Sequence, residues 1–244
     1  MGAESLLKDS KVKDIERFIR DYPEMSIAPS RIPATVLKGV FSFTARPNGG
    51  VEISDSYHLH IIVPETFPEE IPKVTEIGQK IPRDGNHHIN GDDDTSCLGS
   101  PIRLLKLISK KPTLVGFAER CLVPYLYAVS LKLQFNAEFP FGELTHGGKG
   151  VIDDYLNLFG LNSQEQVLGT LELLGKKKRT ANRSLCPCGC GRRLGVCKFN
   201  KKLSKYRHMA NRLWFRDHAK EIEAQLVSRN SIKYLQNRHE HSAF

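Results

Sequence analysis

The stretch FPEEIPKVTEIGQKIPRDGNHHINGDDDTSCL, residues 67–98, lies between a strand-like part of the chain and a helical part. Pro68 and Pro72 interrupt strand pairing, because proline has a fixed φ and no backbone N–H to donate. From residue 79 to residue 103 the sequence shows neither helical nor strand periodicity. An irregular segment of that length inside a compact domain is usually functional or disordered, and this one contains Cys97.

The residues before this stretch alternate in polarity as β-strands do. Apolar and polar side chains alternate in three runs, at residues 36–44, 51–53 and 58–63. RPNGG at 46–50 is typical of a turn. An apolar face over residues 12–19, with Ser10 as its N-cap and Pro23 beyond its end, predicts a helix ahead of the strands. We therefore expect an N-terminal helix followed by an antiparallel meander.

The residues after this stretch recur at helical spacing. They predict a long helix over 114–133, bent or split by Pro124. A short helix is predicted over 152–159, and another opens with a capping box at Ser163 and closes at Gly175. Strands followed by helices predict an α+β fold.

The positive charge of the chain is concentrated at its C-terminal end. Residues 175–244 contain 18 Lys and Arg against four Asp and Glu, whereas the other 174 residues contain 18 against 23. A change of charge on this scale indicates a domain boundary. We expect a first domain over residues 8–175, a basic linker over 176–184, and a basic module over 185–244 that includes a helix at 201–229.

Membrane insertion and secretion are not expected. The longest uncharged apolar stretch, residues 122–131, is shorter than the roughly 20 residues that a membrane span needs. The N-terminus lacks the apolar core of a secretion signal. We therefore expect a cytoplasmic protein, in which clustered cysteines favour metal over disulfides.

Four segments carry a resemblance to the ubiquitin-conjugating (UBC) family. They are FPEEIP (67–72), similar to Y-P-x-x-P-P; HIN (88–90), similar to H-P-N; CL (97–98), similar to the active-site Cys-Leu; and HGGKG (146–150), similar to a prokaryotic H-G-x-x-G. The resemblance covers residues 8–160. The chain departs from the family pattern at Ile89, where the family has proline. The step from Asn90 to Cys97 is also one residue shorter than the corresponding step in the family.

The resemblance implies a UBC-like meander with flanking helices and a Cys97 that carries an acyl group as a thioester. Asn90 would donate its amide N–H to the oxyanion formed when an amine attacks that thioester. His88 would brace the loop. The acidic run at 92–94 should raise the pKa of the Cys97 thiol, and a mild nucleophile suits a carrier better than a protease.

These residues also have plainer interpretations. An isolated cysteine is more often a small buried hydrophobic residue than a nucleophile, and Cys121, with apolar helical neighbours, is expected in the core. The acidic run at 92–94 could instead be a solvated turn, which is the commoner fate of such a run. His146 is expected to be a structural loop residue.

A second resemblance lies in the C-terminal module. CPCGCG (186–191) followed by Cys197 resembles the SEC-C motif, C-P-C-G-x-G and then C-[H/C]. Zinc takes four tetrahedral ligands, but Lys198 occupies the usual fourth position, which leaves Cys190 or His208 to complete the site. We expect a structural Zn²⁺ on Cys186, Cys188, Cys190 and Cys197. The alternative is a reduced cluster without metal.

The first functional hypothesis is a UBC-class transferase. Cys97 would receive the C-terminus of a ubiquitin-like or other protein and pass it to a lysine of a target protein. The resemblance to conjugating proteins of anti-phage defence islands implies a cGAS-like nucleotidyltransferase as one target. Because no Gly-rich phosphate loop follows a strand, a separate activating enzyme would be required.

The second hypothesis is a binding protein without catalysis. The UBC-like domain would only bind, and the SEC-C module with its basic helix would be an adaptor for the ribosome, for nucleic acid or for an acidic protein. A merely solubilising helix is the plain alternative. A third interpretation, a cysteine hydrolase, requires a histidine against Cys97 and a depressed thiol pKa.

Overall fold

The computed structural model describes residues 3–139 and 148–240, with side chains at 9–139 and 148–227. The chain divides into two compact units, Met1–Glu143 and Leu144–Phe244. The sequence suggests a first domain that extends to residue 175. In the structure the helices over 148–174 instead belong to the second unit, because they pack against its C-terminal helix.

The first unit is a mixed α+β fold, which confirms the predicted fold class at that level. Its elements are α1 (Ala3–Asp21), β1 (Met25–Ala28), β2 (Ala34–Ala45), β3 (Ile53–Pro64), β4 (Lys73–Glu76), α2 (Pro101–Ile108), α3 (Leu114–Phe117) and α4 (Val123–Phe135). The four strands form one antiparallel sheet in the order β1-β2-β3-β4, the expected meander. The proline-rich segment lies between β3 and β4, and the peptide bond between Phe67 and Pro68 is cis.

The two long central strands place one apolar face against the helices. β2 and β3 pair along 12 residues each, from Ala34 opposite Pro64 to Ala45 opposite Ile53. Five of the six residues of β3 on this face are buried, and the exception is the half-buried Asp55. Ile53, from the run predicted at 51–53, and the whole run predicted at 58–63 therefore belong to one continuous strand. The core side chains of this face are Leu37, Phe41, Phe43, Tyr57, Leu59, Ile61 and Val63.

The central helix accommodates Pro124 through a local change of helix type. A π-helical turn, Ala118–Leu122, joins α3 to α4, and the Val123 N–H donates to the Ala118 carbonyl five residues back. Pro124 then lies in the first turn of α4, where its missing N–H costs least. Where the sequence predicts a bent or split helix, the structure therefore has a π-helical turn.

This helical stretch, Leu114–Phe135, is the one described segment that is long and apolar enough to cross a membrane by composition alone. In the structure 72% of its most apolar window is buried. Burial of that extent is what the central helix of a globular core shows. The cytoplasmic location stays a prediction.

The second unit is helical around its own apolar core. Its elements are α5 (Gly148–Phe159), α6 (Gln164–Leu174), α7 (Lys178–Arg183), α8 (Phe199–Tyr206) and α9 (Arg212–Glu240). The Ser163 hydroxyl accepts the Gln166 N–H at the start of α6, as the capping box predicts. The buried Tyr155 hydroxyl and the Nε2 of His218 lie 2.7 Å apart and tie α5 to α9.

Two predictions for the second unit are wrong in detail. Most of the stretch expected as a basic linker, 176–184, forms α7, because the buried Ala181 gives this short helix an apolar contact. The basic helix expected over 201–229 is broken between α8 and α9. The Asn211 side chain accepts the Trp214 N–H and so begins a new helix.

Candidate functional site

Cys97 lies on a small hairpin that the irregular loop forms beside the sheet. Ile89 and Ser96 are paired in antiparallel fashion. On either side of that pair, the Asn90 N–H donates to the Thr95 carbonyl at 2.9 Å and the Cys97 N–H to the His88 carbonyl at 2.7 Å. The Ser96 N–H donates to the Val74 carbonyl of β4 at 2.7 Å. The hairpin is therefore fixed to the edge of the sheet by backbone hydrogen bonds.

The Cys97 thiol is half-buried, and its pKa is raised above the ordinary value. Burial causes the increase by disfavouring the thiolate, and a hydrogen bond from the Gly99 backbone N–H opposes it. The pKa of the Cys97 thiol is raised, as the acidic run at 92–94 suggests, but the cause is desolvation of the thiol and not the neighbouring carboxylates. Of that run, Asp93 is occupied locally, with its carboxylate 2.5 Å from the Thr95 hydroxyl and 3.4 Å from the Lys73 ammonium.

Asn90 is engaged inside the hairpin. Its side-chain amide donates to the Thr95 hydroxyl at 2.8 Å, and Thr95 in turn donates to Asp93. One of the two N–H groups of the Asn90 side-chain amide is therefore already used.

His88 is placed to support the loop. Its backbone is left-handed, with φ of 54°, at the end of a 3-10 turn over Gly85–His87. The imidazole is buried, and its centre lies 4.6 Å from that of the Phe139 ring, edge to face. The Tyr125 hydroxyl donates to the adjacent His87 carbonyl at 3.0 Å. These contacts fit a bracing role.

Within the described ranges 9–139 and 148–227, the influences on the pKa of the Cys97 thiol are its burial and the Gly99 N–H, and no imidazole is among them. His87, which lies in the same loop, pairs with the Asp84 carboxylate at 2.7 Å. A hydrolase needs a base on the thiol and a depressed pKa, and this site has neither feature among those residues. His146 and most of the HGGKG segment fall outside the described part of the chain.

A buried carboxylate organises the chain between β4 and the hairpin. The Glu76 side chain is fully buried and accepts backbone N–H groups from Gly78 at 2.6 Å, Lys80 at 3.1 Å and Ile81 at 3.4 Å. The Arg83 guanidinium lies 3.9 Å from it and also donates to the Glu76 carbonyl. One side chain therefore fixes the entry to the Cys97 loop.

The four clustered cysteines converge on one point. The sulfur atoms of Cys186, Cys188, Cys190 and Cys197 all lie within 4.8 Å of one another. Three of the separations are 3.2, 3.7 and 3.6 Å. Zn–S bonds of about 2.3 Å in a tetrahedron place sulfurs about 3.8 Å apart, so the four thiols could hold a metal ion and their geometry is compatible with zinc.

The local backbone explains this convergence. Leu185 pairs with Arg193, and the Cys186 N–H donates to the Arg192 carbonyl at 2.8 Å, which closes a tight knuckle. Gly189 and Gly191 have φ of 79° and 70°, a region that favours glycine. The knuckle thereby brings Cys186, Cys188 and Cys190 to one side.

The surroundings of the cluster favour thiolate at Cys190 and donate a hydrogen bond to Cys197. Hydrogen bonds from the Arg192 backbone and from Cys188 lower the pKa of Cys190 to about 6. The Phe199 N–H donates to the Cys197 sulfur at 3.4 Å. In this geometry Cys190, and not His208, joins the other three sulfurs.

Several contributors to these sites were not identified from the sequence. Thr95 and Gly99 contact Asn90 and Cys97, and Glu76 organises the loop entry. The signal in the sequence that could have indicated them is their position within residues 67–98 or directly beside that stretch.

Comparison with family models, with curated proteins and with solved structures finds no match for this chain.

Proposed function

We propose that this chain is a ubiquitin-conjugating-like transferase that carries a protein C-terminus as a thioester on Cys97. The observation that carries the proposal is the half-buried Cys97 thiol, held on a sheet-anchored hairpin and without an imidazole among the described residues. A thiol in such a place can exchange acyl groups with another thioester. It is poorly suited to activate water or to cleave an amide.

The loading step is a thiol–thioester exchange. The Cys97 thiolate attacks the carbonyl carbon of an incoming thioester, a new C–S bond forms, and the donor's C–S bond breaks. The donor leaves as a thiolate, so charge balances and no redox partner is needed. The Gly99 N–H stabilises the negative charge on Cys97 before attack and again after release.

The transfer step requires an amine and an oxyanion donor. A target lysine attacks the thioester carbonyl, the C–N bond forms and the C–S bond to Cys97 breaks, while the amine proton passes to the departing thiolate or to water. Asn90 supports the oxyanion with the N–H that the Thr95 hydroxyl does not occupy. The acceptors to test include a cGAS-like nucleotidyltransferase, the class that the family resemblance implies.

Zinc is proposed as a structural ion on the cysteine cluster. Four thiolates close the coordination sphere, which leaves no open position for a substrate or a water nucleophile. The knuckle around them is short of apolar core, and a metal supplies the folding energy that such a segment lacks.

Intact-protein mass spectrometry tests the transferase. Wild type, Cys97→Ser and Cys121→Ala chains are each expressed with their genomic neighbours and analysed without reductant, then after thiol or hydroxylamine treatment. Cys121 is the matched control, since it is the other cysteine outside the cluster and is 3% exposed. We expect wild type and Cys121→Ala to carry an adduct that thiol removes. Cys97→Ser should either lack this adduct or carry it as an ester that is stable to thiol. Its added mass identifies the cargo.

If no variant carries an adduct when all the genomic neighbours are expressed with it, Cys97 is not an acyl carrier. An adduct that persists as a thioester in Cys97→Ser would place the chemistry on another cysteine.

A further inference from the structure

A concave basic surface lies between the end of α6 and the start of α9, within the second unit. Its cavity, of about 510 Å³, is lined by Leu174, Lys176, Lys177, Lys178, Arg207, Ala210, Asn211 and Arg212. Five of these eight residues are cationic and none is acidic. We refer to them together as the basic cavity.

Arg207 forms the fixed floor of the basic cavity. Its guanidinium donates to the carbonyls of Leu173 at 2.8 Å, Leu174 at 3.2 Å and Lys176 at 3.1 Å, which closes the C-terminus of α6. Within the described residues no carboxylate pairs with it, and its buried Nε–H has no hydrogen-bond partner. Burial and the nearby Arg212 charge lower its pKa. Carbonyl oxygens at the C-terminus of α6 therefore hold this guanidinium in place, and no carboxylate among the described residues neutralises its charge.

The other cations are brought together by a close passage of the chain. A Cβ at Gly175 would lie 2.5 Å from the Arg216 Cγ and 3.4 Å from the Arg212 carbonyl oxygen. Glycine therefore lets residues 176–178 leave α6 directly beside the first turn of α9. Among the described residues, Glu172 forms an exposed i,i+4 pair with Lys176 at 3.7 Å, and such pairs are weak.

We propose that the basic cavity binds the phosphodiester backbone of a nucleic acid. Like charges crowded around a fixed guanidinium repel one another, and an anion relieves that repulsion. The lining offers charge but no aromatic ring for a base to stack on, which favours backbone phosphates over a nucleotide base. Exposed Arg179 follows Lys178 in α7, and exposed Arg216 lies about one helical turn after Arg212 in α9. Cationic side chains therefore continue beyond the cavity lining, as a strand of several phosphates requires. This proposal does not depend on the proposed Cys97 chemistry.

Fluorescence anisotropy with the full-length, zinc-loaded chain tests the proposal. The probes are a labelled 20-nucleotide RNA and a DNA duplex of the same sequence, each titrated at several salt concentrations. The test variant combines K176Q, K177Q and K178Q. The matched control combines K201Q, K205Q and K220Q, which removes the same charge from the same unit outside the cavity. Arg207 is left intact because it closes α6, and circular dichroism and zinc content establish that both variants fold.

The expected result is a selective loss of affinity and of salt dependence in the cavity variant. Each phosphate contact contributes about 0.9 to the slope of log K against log salt on duplex DNA, so three lost contacts lower the slope by about 2.7 and the affinity about tenfold or more. In the control variant, the slope of log K against log salt should change by less than about a third of that amount. Comparison of the RNA and DNA probes shows which nucleic acid is preferred.

Three results would overturn the proposal. Equal losses in the two triple variants would mean diffuse charge and no site. Equal affinity for poly-glutamate would assign the surface to acidic proteins. Absence of binding to both probes at low salt would leave the cavity without a nucleic-acid role, whatever the outcome at Cys97.

Discussion

The thiol of Cys97 is governed by its solvation more than by neighbouring charge. Burial raises its pKa above the usual value near 9.0, and the Gly99 N–H only partly offsets that effect. A raised pKa means that thiolate appears at higher pH than it does in an unfolded chain. Reactivity at neutral pH is consequently low, which protects the thiol from adventitious alkylation and oxidation.

The pH dependence of alkylation measures this effect. We expect the rate of iodoacetamide modification at Cys97 to keep rising above pH 9, while a denatured sample or a matching peptide levels off at lower pH. Peptide mass spectrometry after timed quenching gives both profiles. A Cys97 profile whose midpoint lies below that of the peptide would contradict the desolvation account and would revive the cysteine-hydrolase interpretation.

Glu76 gives a second prediction at the scale of one residue. Replacing it by Gln substitutes an NH₂ donor for one acceptor oxygen and leaves backbone N–H groups of the 78–81 turn without a partner. An unsatisfied buried donor costs about 1–3 kcal/mol, so Glu76→Gln should lower the free energy of unfolding by that amount. Urea denaturation measures the change.

Glu119→Gln is the control for Glu76→Gln. Its carboxylate is 48% exposed and pairs with Lys111 at the surface, where the loss should stay below about 1 kcal/mol. Similar losses in the two variants would show that Glu76 does not organise the loop.

The sequence predicted the location of Cys97 but not its environment. Its place in an irregular, proline-bounded loop could be read from residues 67–98 alone. Burial of the thiol and the engagement of Asn90 by Thr95 depend on the hairpin register. That register is fixed partly by the bond from Ser96 to Val74 of β4, a four-residue strand that shows too little alternation to be predicted.

At the scale of elements, length determined which predictions succeeded. The alternation along the two 12-residue strands can be read from the sequence. The helix α4 is identified by its apolar composition, since residues 125–130 are all buried. β1, β4 and α2 are four to eight residues long, and sheet and core contacts stabilise them more than local sequence does. The break between α8 and α9 depends on the Asn211 cap, which the basic composition of that region obscured.

The cysteine knuckle is the element that metal binding should control. We expect one zinc per chain, lost on Cys190→Ser and retained on His208→Ala, because Cys190 lies with the other three sulfurs and His208 does not. Removing one ligand from a four-thiolate site leaves three and weakens binding strongly. Elemental analysis of purified chains gives the stoichiometry. Zinc loss in His208→Ala with full retention in Cys190→Ser would reverse the assignment.

At the scale of the molecule, each unit has an apolar core of its own. The core of the first unit comprises sheet and helix residues from Phe18 to Val129. Buried Tyr155, Leu171 and Phe215 belong to the second unit. The charge asymmetry of the sequence predicted two parts, but the boundary depends on which helices share a core. The apolar faces of α5 and α6 meet α9 and so belong to the C-terminal part.

Separate cores predict that metal removal acts on one unit. The knuckle packs on α7 and α8 through its 3-10 turn, Leu194–Val196, so a chelator or Cys188→Ser should expose the backbone of residues 178–206. Residues 25–135 should keep their protection, because none of their core side chains belongs to the cysteine knuckle. Hydrogen exchange with mass spectrometry resolves the two regions, and Cys97→Ser is the control that leaves both unchanged. Loss of protection throughout residues 25–135 on chelation would show that the chain folds as a single cooperative unit whose stability depends on the metal.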